Sequence, residues 1–326
     1  MNFSTNRFIR RKEVIVIAST VMMLVVFSSW FFYCLQPVSK TAQTKVFEIR
    51  RGESFIGISR RLQSEGLIRS AFSFELYAVV AGSARKLMVG VYDISGASST
   101  PEIAALLKEA NREVKVAVLD GASVYDIDKL LSEQKILPTG VLKEFAKTHL
   151  IEGTLYPDTY KFFRYSNIDD VIGIFSKNFQ SKAEPVLNQD IKHFKDNLIL
   201  ASLVQKEVSD FKESRIVAGI LKKRLSVGMA LGVDATICYL KKEVQGKASC
   251  YPLRPEDFKI DSPYNTYLYA GLPAGPIGSP EISAIRAVLD PLPSPYWYYL
   301  SDPKTGKAIF SKTLEEHSAN RAKYLR

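Results

Sequence analysis

Apolar residues follow two patterns along this chain: one uninterrupted run near the N-terminus, then many short segments in which apolar and polar positions alternate or recur. The run covers residues 14–35 and reads VIVIASTVMMLVVFSSWFFYCL, without a single charge. A helix rises ~1.5 Å per residue, so a run of this length crosses the hydrocarbon core of a bilayer. The pattern predicts a transmembrane helix at 14–35.

The residues that flank this run indicate its orientation. Four basic residues precede it, and such clusters favour the cytoplasmic side: Arg7, Arg10, Arg11 and Lys12. We therefore expect a cytoplasmic tail at 1–13 and the rest of the chain on the other side of the membrane. A cleaved signal peptide is the alternative. Against it, the run exceeds the usual ~7–15 residues, and bulky aromatics at 30–33 replace a small-residue cleavage site and are typical of an interfacial belt.

Beyond a polar linker at 36–44, two segments share one pattern. VFEIR and VKVAV alternate as strands do, and each precedes a glycine turn, a serine in N-cap position and a helical apolar spacing. The corresponding positions are Gly52 with Gly121 and Ser54 with Ser123. Between the copies we expect a strand and then a helix that begins near Ser99, Thr100 and Pro101. Such units at 45–148 suit glycan or peptide docking, or serve only as a spacer that packs on its neighbour.

One carboxylate lies on an otherwise apolar helical stripe in LILASLVQKEV. Leu200, Leu203, Val204 and Glu207 are spaced three, four and seven residues apart, which brings them onto one face of a helix. Burial disfavours the carboxylate anion, so the pKa of Glu207 is expected to rise until the group donates a proton near neutral pH. The alternative is that Glu207 marks a helix end that turns into solvent.

The remaining C-terminal segments predict a mixed region. EGTLYPDTYKFF contains a turn, and we expect its aromatics Tyr156, Tyr160 and Phe162 to lie in a core. Helices are predicted from 168 to about 227, and LGVDATICYL, residues 231–240, resembles a strand or short buried element. The chain ends with two strands around a turn and a helix that contains His317.

Glycine and proline are dense in residues 261–280, which predicts a loop with fixed backbone angles that shapes a cleft. Its polar groups offer donors and acceptors for sugar hydroxyls and acetamides: Tyr264, Asn265, Thr266 and Tyr267. The alternative is a connector whose polar groups satisfy their own backbone.

Composition narrows the classes of function. The 326 residues, 46% of them hydrophobic, allow two or three domains, and the formal net charge of +10 is spread without an arginine-rich tract, which disfavours nucleic acid binding. Three cysteines and three histidines lack the spacing of a metal cage, so no metal or other cofactor is expected. Outside the cytoplasm, a disulfide between Cys238 and Cys250 is permitted.

Several ordered motifs resemble those of the YceG-like (MltG) endolytic murein transglycosylase family: EGTLYPDTY, LASLVQKEV, GMALGVDATICY, SPYNTYLYAGLPAGPIGSPEISAIRAVL and FSKTLEEH. The resemblance covers nearly the whole chain. It implies an α+β protein of the inner membrane with one N-terminal transmembrane helix, LysM-like α/β units at 45–148 and a mixed α+β catalytic domain at 149–326 in the periplasm. No cofactor is implied; the partners are glycan strands and, by association, peptidoglycan synthases.

The resemblance also assigns roles. It implies cleavage between N-acetylmuramic acid and N-acetylglucosamine, with Glu207 as the catalytic acid and Gln205 where the family has another glutamate. Substrate contacts are expected from Gln205, Asp234, the four loop residues 264–267, Asp158 and Tyr160. Departures from the family pattern are Gly232 and Ala235 beside Asp234, and Ala308 and Ser318 near the C-terminus.

No acidic partner for Glu207 is evident, although hydrolases normally use two carboxylates. Attack by the muramyl 6-hydroxyl on its own anomeric carbon needs only one acid and yields a 1,6-anhydro sugar. Asp234 is then expected to orient the substrate or to have a structural role. Two other roles for Asp234 stay open: stabilisation of an oxocarbenium ion and activation of water. A two-carboxylate muramidase and a glycan-binding factor without turnover are the alternatives to a lytic transglycosylase.

Overall fold

The computed structural model describes residues 3–40, 43–50, 52–108, 113–246, 249–302 and 304–325. Residues 1 and 2 of the predicted tail and 41 and 42 of the predicted linker lie outside this set. The chain divides into two compact units, Met1–Arg112 and Glu113–Arg326. The second copy of the repeat therefore belongs to the same unit as residues 149–326, and the domain limits given above stay predictions.

The first unit begins with the long helix α1, Phe3–Leu35. Its part from Val14 to Leu35 is, among the described residues, the one helical segment long and apolar enough to cross a membrane. The remainder of the unit is a two-stranded antiparallel sheet, with Phe47 opposite Tyr92, packed against three short helices. These elements are β1 Thr44–Ile49, α2 Phe55–Ser64, α3 Ala71–Val80, β2 Gly90–Ser95 and α4 Thr100–Leu106.

The predicted strand, turn and capped helix are confirmed in both copies of the repeat. Ser54 accepts a hydrogen bond from the backbone N–H of Gly57 at the start of α2. In the second copy Ser123 accepts from the N–H of Asp126, whose carboxylate accepts in return from the N–H of Ser123, a reciprocal capping box. Each cap satisfies a donor that the first helical turn would leave unpaired.

The second unit starts with a small sheet and the helices that cover it. Strand β3, Val114–Ala117, pairs with β4, Thr159–Phe162, in antiparallel register. Helices α5 Val124–Glu133, α6 Val141–Thr148 and α7 Ile168–Lys182 pack on this pair. As expected, the aromatics between 156 and 162 are core residues, with exposed fractions of 8% for Tyr156, 5% for Tyr160 and 1% for Phe162.

A larger helical core follows, and α9 lies at its centre. All eight residues from Asn197 to Val204 are buried, because α10, α11 and α12 pack around this helix. The elements are α8 Glu184–Leu187, a 3-10 turn at Asn188–His193, α9 Phe194–Glu207, α10 Phe211–Ser226, α11 Asp234–Gln245, a 3-10 turn at Asp257–Lys259, α12 Ile282–Leu289, β5 Tyr298–Ser301, β6 Ala308–Ser311 and α13 Leu314–Tyr324. Strands β5 and β6 form the predicted final pair, and α13 is the predicted last helix.

Of the two alternatives predicted for 231–240, the strand is wrong, because residues from Asp234 onward form helix α11, whereas the burial expected of a short buried element is present. The β-branched residues Val233, Thr236 and Ile237 favour strands. Their burial has helical spacing instead: Thr236, Ile237, Leu240 and Lys241 are buried together. The loop at 261–280 contains neither α-helix nor strand, as predicted.

Candidate active site

A cavity of about 790 Å³ lies in the second unit, where the end of α9 meets the start of α11, strand β5 and helix α13. Its wall mixes apolar and polar side chains and carries both signs of charge. The residues that matter for its chemistry are Glu207, Arg224, Asp234, Tyr267, Tyr299 and His317.

Glu207 is the last residue of α9, and its half-buried side chain lines the cavity. The Ser301 hydroxyl donates to its backbone oxygen at 2.9 Å and ties this helix end to β5. Burial raises the pKa of the Glu207 carboxyl to about 7, and the negative charge of Asp234 adds to this rise. At neutral pH a large share of Glu207 is therefore protonated, which is the state of a proton donor. The predicted rise of the Glu207 pKa is therefore present. Glu207 also marks the end of its helix, as the alternative prediction stated.

Tyr299 and Arg224 act on Glu207 in the opposite sense, since both lower its pKa. Tyr299 hydrogen-bonds to the Glu207 carboxylate, and burial together with that carboxylate's charge raises the pKa of Tyr299 well above its usual value. Its hydroxyl thus stays protonated and donates. Arg224 is buried and donates to the backbone oxygens of Trp297, at 2.9 and 2.6 Å, and of Leu231, at 2.5 Å.

Asp234 is the first residue of α11, and the Tyr267 hydroxyl donates a hydrogen bond to its Oδ1. Two further bonds hold this helix start to the loop. Thr266 accepts from the N–H of Val233 through Oγ1 at 2.9 Å and from the N–H of Gly232 through its backbone oxygen at 3.0 Å. The loop therefore fixes where Asp234 stands.

Asn265 and Thr266 are buried, and their side chains serve the loop itself. Asn265 Nδ2 donates to the backbone oxygens of Phe258 and Ile260 at 3.0 and 2.8 Å, and its Oδ1 accepts from the N–H of Tyr267 at 3.0 Å. These hydrogen bonds match the alternative prediction, a connector whose polar side chains pair with backbone groups. The consequence for the cavity is indirect, because these bonds orient Tyr267.

The other predicted site residues lie away from the cavity. Gln205 Oε1 accepts from the N–H of Glu281 at 3.0 Å, at the start of α12. Tyr264 packs on Tyr239 in the core, with ring centroids 5.0 Å apart. Both Asp158 and Tyr160 accept from Asn178 Nδ2 at 2.8 Å, beside β4. The structure thus brings Glu207, Asp234 and Tyr267 together, and not these four.

A disulfide links α11 to a neighbouring segment of the chain near the cavity. The permitted bond between Cys238 and Cys250 is present and joins α11 to the segment that carries Tyr251, which lines the cavity. A buried ion pair follows it, with Lys241 Nζ 2.8 Å from Asp257 Oδ2. Both links hold this segment against α11.

Sequence reasoning did not single out Tyr299, Arg224, Tyr251 or His317 as site residues. His317 stacks on Tyr298 with centroids 5.3 Å apart, and its buried Nδ1 has no hydrogen-bond partner among the described residues. Burial, with Arg321 and Arg224 nearby, lowers the pKa of His317, which favours the neutral ring. The only signal for it was the FSKTLEEH motif. Alternation along β5 predicts that Tyr298 and Tyr299 face opposite sides, but not which side faces a cavity.

The arrangement suits proton transfer to a polar substrate. The carboxyl of Glu207, with a pKa near neutrality, lines the same cavity as the carboxylate of Asp234. Cationic side chains and the Tyr299 hydroxyl, which donates to Glu207, line this cavity as well. Within the described ranges, no group of three His, Cys, Asp or Glu side chains is arranged to hold a metal ion.

Known proteins match this chain over most of its length. The model of the YceG-like family matches residues 47–323. An endolytic murein transglycosylase of Bacillus subtilis (strain 168) is 28% identical over 324 residues, which covers 89% of this chain and 88% of that protein. An endolytic murein transglycosylase of Streptococcus pneumoniae serotype 2 is 23% identical, and the match covers 85% of this chain and 58% of that protein. A crystal structure of a yceG-like protein from Listeria monocytogenes is similar with a TM-score of 0.53 at 27% identity, covering 86% of this chain and 100% of that one.

Proposed function

Because the chain belongs to the YceG-like family, we propose that it is an endolytic murein transglycosylase, a lyase that cuts the glycan strands of peptidoglycan. The observation that carries the proposal is the carboxyl of Glu207, whose pKa of about 7 keeps a proton available in a cavity of about 790 Å³. Two relatives named endolytic murein transglycosylase match most of this chain, which supports the same assignment.

The bond that breaks joins the anomeric carbon of N-acetylmuramic acid to the oxygen of the next N-acetylglucosamine. Glu207 donates its proton to that oxygen, and the muramyl 6-hydroxyl attacks the anomeric carbon. Glu207, now a carboxylate, accepts the proton of the attacking hydroxyl and is regenerated. The products are a 1,6-anhydro-muramyl end and a free N-acetylglucosamine end, and no water is consumed. Because the nucleophile belongs to the same sugar as the anomeric carbon, the reaction has a proximity advantage that attack by a separate water molecule lacks.

Asp234 orients substrate in this proposal and does not activate water. Its Oδ1 accepts from Tyr267, which leaves the other oxygen for a sugar hydroxyl. The cavity also contains Lys206 and Arg321, whose positive charges suit the acidic peptide stems and lactyl groups of the glycan.

The cellular role follows from the anchor. We propose that α1 stays in the inner membrane with its N-terminus in the cytoplasm, and that the rest of the chain acts in the periplasm. Residues 45–148 would serve as LysM-like units that hold glycan. A site tethered there meets nascent strands, so the enzyme would trim or terminate them beside peptidoglycan synthases.

One specific observation favours a second candidate, a two-carboxylate muramidase. Asp234 lines the same cavity as Glu207 and acts on its pKa, as the second carboxylate of a hydrolase would. A glycan-binding factor without turnover is the third candidate, since Gln205 replaces a family glutamate.

The deciding experiment is mass analysis of the fragments that the full chain, reconstituted in membranes, releases from purified peptidoglycan. A transglycosylase yields anhydro-muramyl ends, one water lighter than the reducing ends from a muramidase. Glu207→Gln is expected to lower the rate by ~10²–10⁴-fold. The matched control is Glu144→Gln, since the Glu144 side chain is 73% exposed and pairs with Lys147 on the surface. Reducing ends, or full activity in Glu207→Gln, would reject the proposal.

A further inference from the structure

Helix α3 of the first unit carries apolar side chains on two opposite faces. Phe74 and Ala78 are fully buried in the core of the unit. On the other side, Phe72, Val79 and Val80 are 55%, 63% and 80% exposed, and Leu76 is half-buried between them. We call these four residues the α3 stripe. Their spacing of four, seven and eight residues places them on one helical face.

Such a stripe is unusual on a surface that meets water. A helix with apolar side chains on two opposite faces normally buries both, whereas three of the four side chains of the α3 stripe stay more than half exposed within the first unit. The stripe itself contains no ionisable group. Two further apolar side chains that follow α3 are also exposed, Met88 at 42% and Val89 at 56%.

The α3 stripe is continuous with the surface of α1. The ring of Phe72 lies 6.3 Å from the ring of Trp30, which is part of the apolar span Val14–Leu35. Trp30 comes five residues before the end of α1, so it lies ~7 Å inside that end at the rise of an α-helix. The first turn of α3 is therefore level with the last turns of the span.

The end of α1 and the start of α3 are held together by side-chain contacts. The guanidinium of Arg69 lies 4.7 Å above the ring of Tyr33, and its Nε and Nη2 donate to the backbone oxygen of Pro37 at 3.0 and 2.7 Å. Cys34 and Leu35 are only 5% and 7% exposed. Because the end of α1 is packed into the unit, the depth of α1 in a bilayer also sets the depth of α3.

We infer that the α3 stripe lies in the outer interface of the bilayer that α1 crosses, so that the first unit rests on lipid. This rests on the membrane anchoring proposed above. Lipid is the occupant because the stripe extends a surface that already faces lipid, through the contact between Phe72 and Trp30. The exposed side chains of Arg85 and Lys86 follow α3, where their cationic ends reach anionic headgroups while their stems lie along apolar surface.

The test is nitroxide accessibility in the full chain, reconstituted at one copy per lipid nanodisc that contains phosphatidylethanolamine and phosphatidylglycerol. Cys34→Ala removes the free cysteine, and the other two are disulfide-bonded. Single labels are placed through Val79→Cys and Val80→Cys. Collisions with oxygen, which partitions into lipid, are expected to exceed collisions with a water-soluble nickel chelate at both positions. Ser64→Cys, at an exposed polar position at the end of α2, should show the reverse.

A label at Met22→Cys, within α1, reports insertion of the anchor by itself. If Met22 is oxygen-accessible while positions 79 and 80 collide mainly with nickel, the docking inference is wrong and the anchor stands. If Met22 also collides mainly with nickel, the anchoring proposal fails and the inference fails with it. If positions 79 and 80 are protected from the nickel chelate only in discs with two copies, a second chain covers the α3 stripe. That result would overturn the inference.

Discussion

The Tyr267 hydroxyl donates a hydrogen bond to Oδ1 of Asp234 on the wall of the cavity that holds Glu207. This contact joins the glycine- and proline-rich loop to the first residue of α11. It holds the negative charge of Asp234 where that charge raises the pKa of Glu207. The loop therefore influences the Glu207 carboxyl through Asp234.

Asp234→Asn is expected to move the alkaline limb of the pH profile of kcat/KM to lower pH. Burial still raises the pKa of Glu207 in this variant, but the contribution of the Asp234 charge is lost. Since the protonated acid is the donor in the proposed mechanism, activity then falls at a lower pH, while activity at pH 5 stays within ~10-fold of the parent. Asp196→Asn, at an exposed position of α9, is the control and should leave the limb in place. Loss of turnover at every pH in a folded variant would instead favour the muramidase.

Tyr299→Phe is expected to move the same limb in the opposite direction. Its hydrogen bond stabilises the Glu207 carboxylate, so removal of the hydroxyl raises the pKa of Glu207 further. The acid then keeps its proton to higher pH. Tyr298→Phe, one residue earlier on β5, serves as the matched control, measured on the same substrate across pH 5 to 9. A limb that moves to lower pH in Tyr299→Phe would contradict the assigned contact.

Glu152 makes the unfolding free energy depend on pH. Burial raises its pKa from 4.5 to about 8, although the N–H of Val124 and the Tyr239 hydroxyl both donate to it at 3.2 Å. The folded state thus binds more protons than the unfolded chain between these two values. The unfolding free energy is expected to fall as pH rises through this window, by at most ~1.4 kcal/mol per pH unit.

Glu152→Gln should flatten this dependence, because the amide does not titrate. The measurement is urea unfolding of the detergent-solubilised full chain at pH 5, 6.5 and 8. Glu207→Gln should remove the share of this pH dependence that ends near pH 7. Glu144→Gln is the control, and the pH dependence of its unfolding free energy should match that of the parent. An unchanged slope in Glu152→Gln would show that its carboxyl does not hold a proton in the folded protein.

Two helical glycines offer a paired test of packing. A Cβ at Gly219 in α10 would lie 2.2 Å from the backbone oxygen of Leu292, whereas a Cβ at Gly173 in α7 would meet nothing within 4 Å. Gly173→Ala is expected to stabilise by ~1 kcal/mol through helix propensity. Gly219→Ala is expected to destabilise by ~1–3 kcal/mol, because backbone must move. Thermal unfolding of both variants checks the difference in sign, and equal effects would contradict the close approach.

Local patterns predicted the parts of the site that lie within one element. The helical stripe that ends at Glu207 predicted a carboxyl with a raised pKa, which the cavity wall contains, and serine caps marked the starts of α2 and α5. Residues such as Tyr299 and Arg224 reach the cavity only through tertiary packing, which periodicity along one helix or strand does not describe. Composition also does not tell whether a polar side chain such as Asn265 pairs with backbone or with a ligand. In α11, burial at helical spacing overrode the strand preference of its β-branched residues.

The position of Glu207 at the very end of α9 has an electrostatic consequence. The aligned peptide dipoles of a helix place about half a negative charge at its C-terminus. That partial charge disfavours an anion on the neighbouring carboxyl, and it favours the positive charge that develops on a sugar ring as its glycosidic bond breaks. One helix terminus would thus hold the proton in place before the reaction and stabilise the cationic ring once the proton has left.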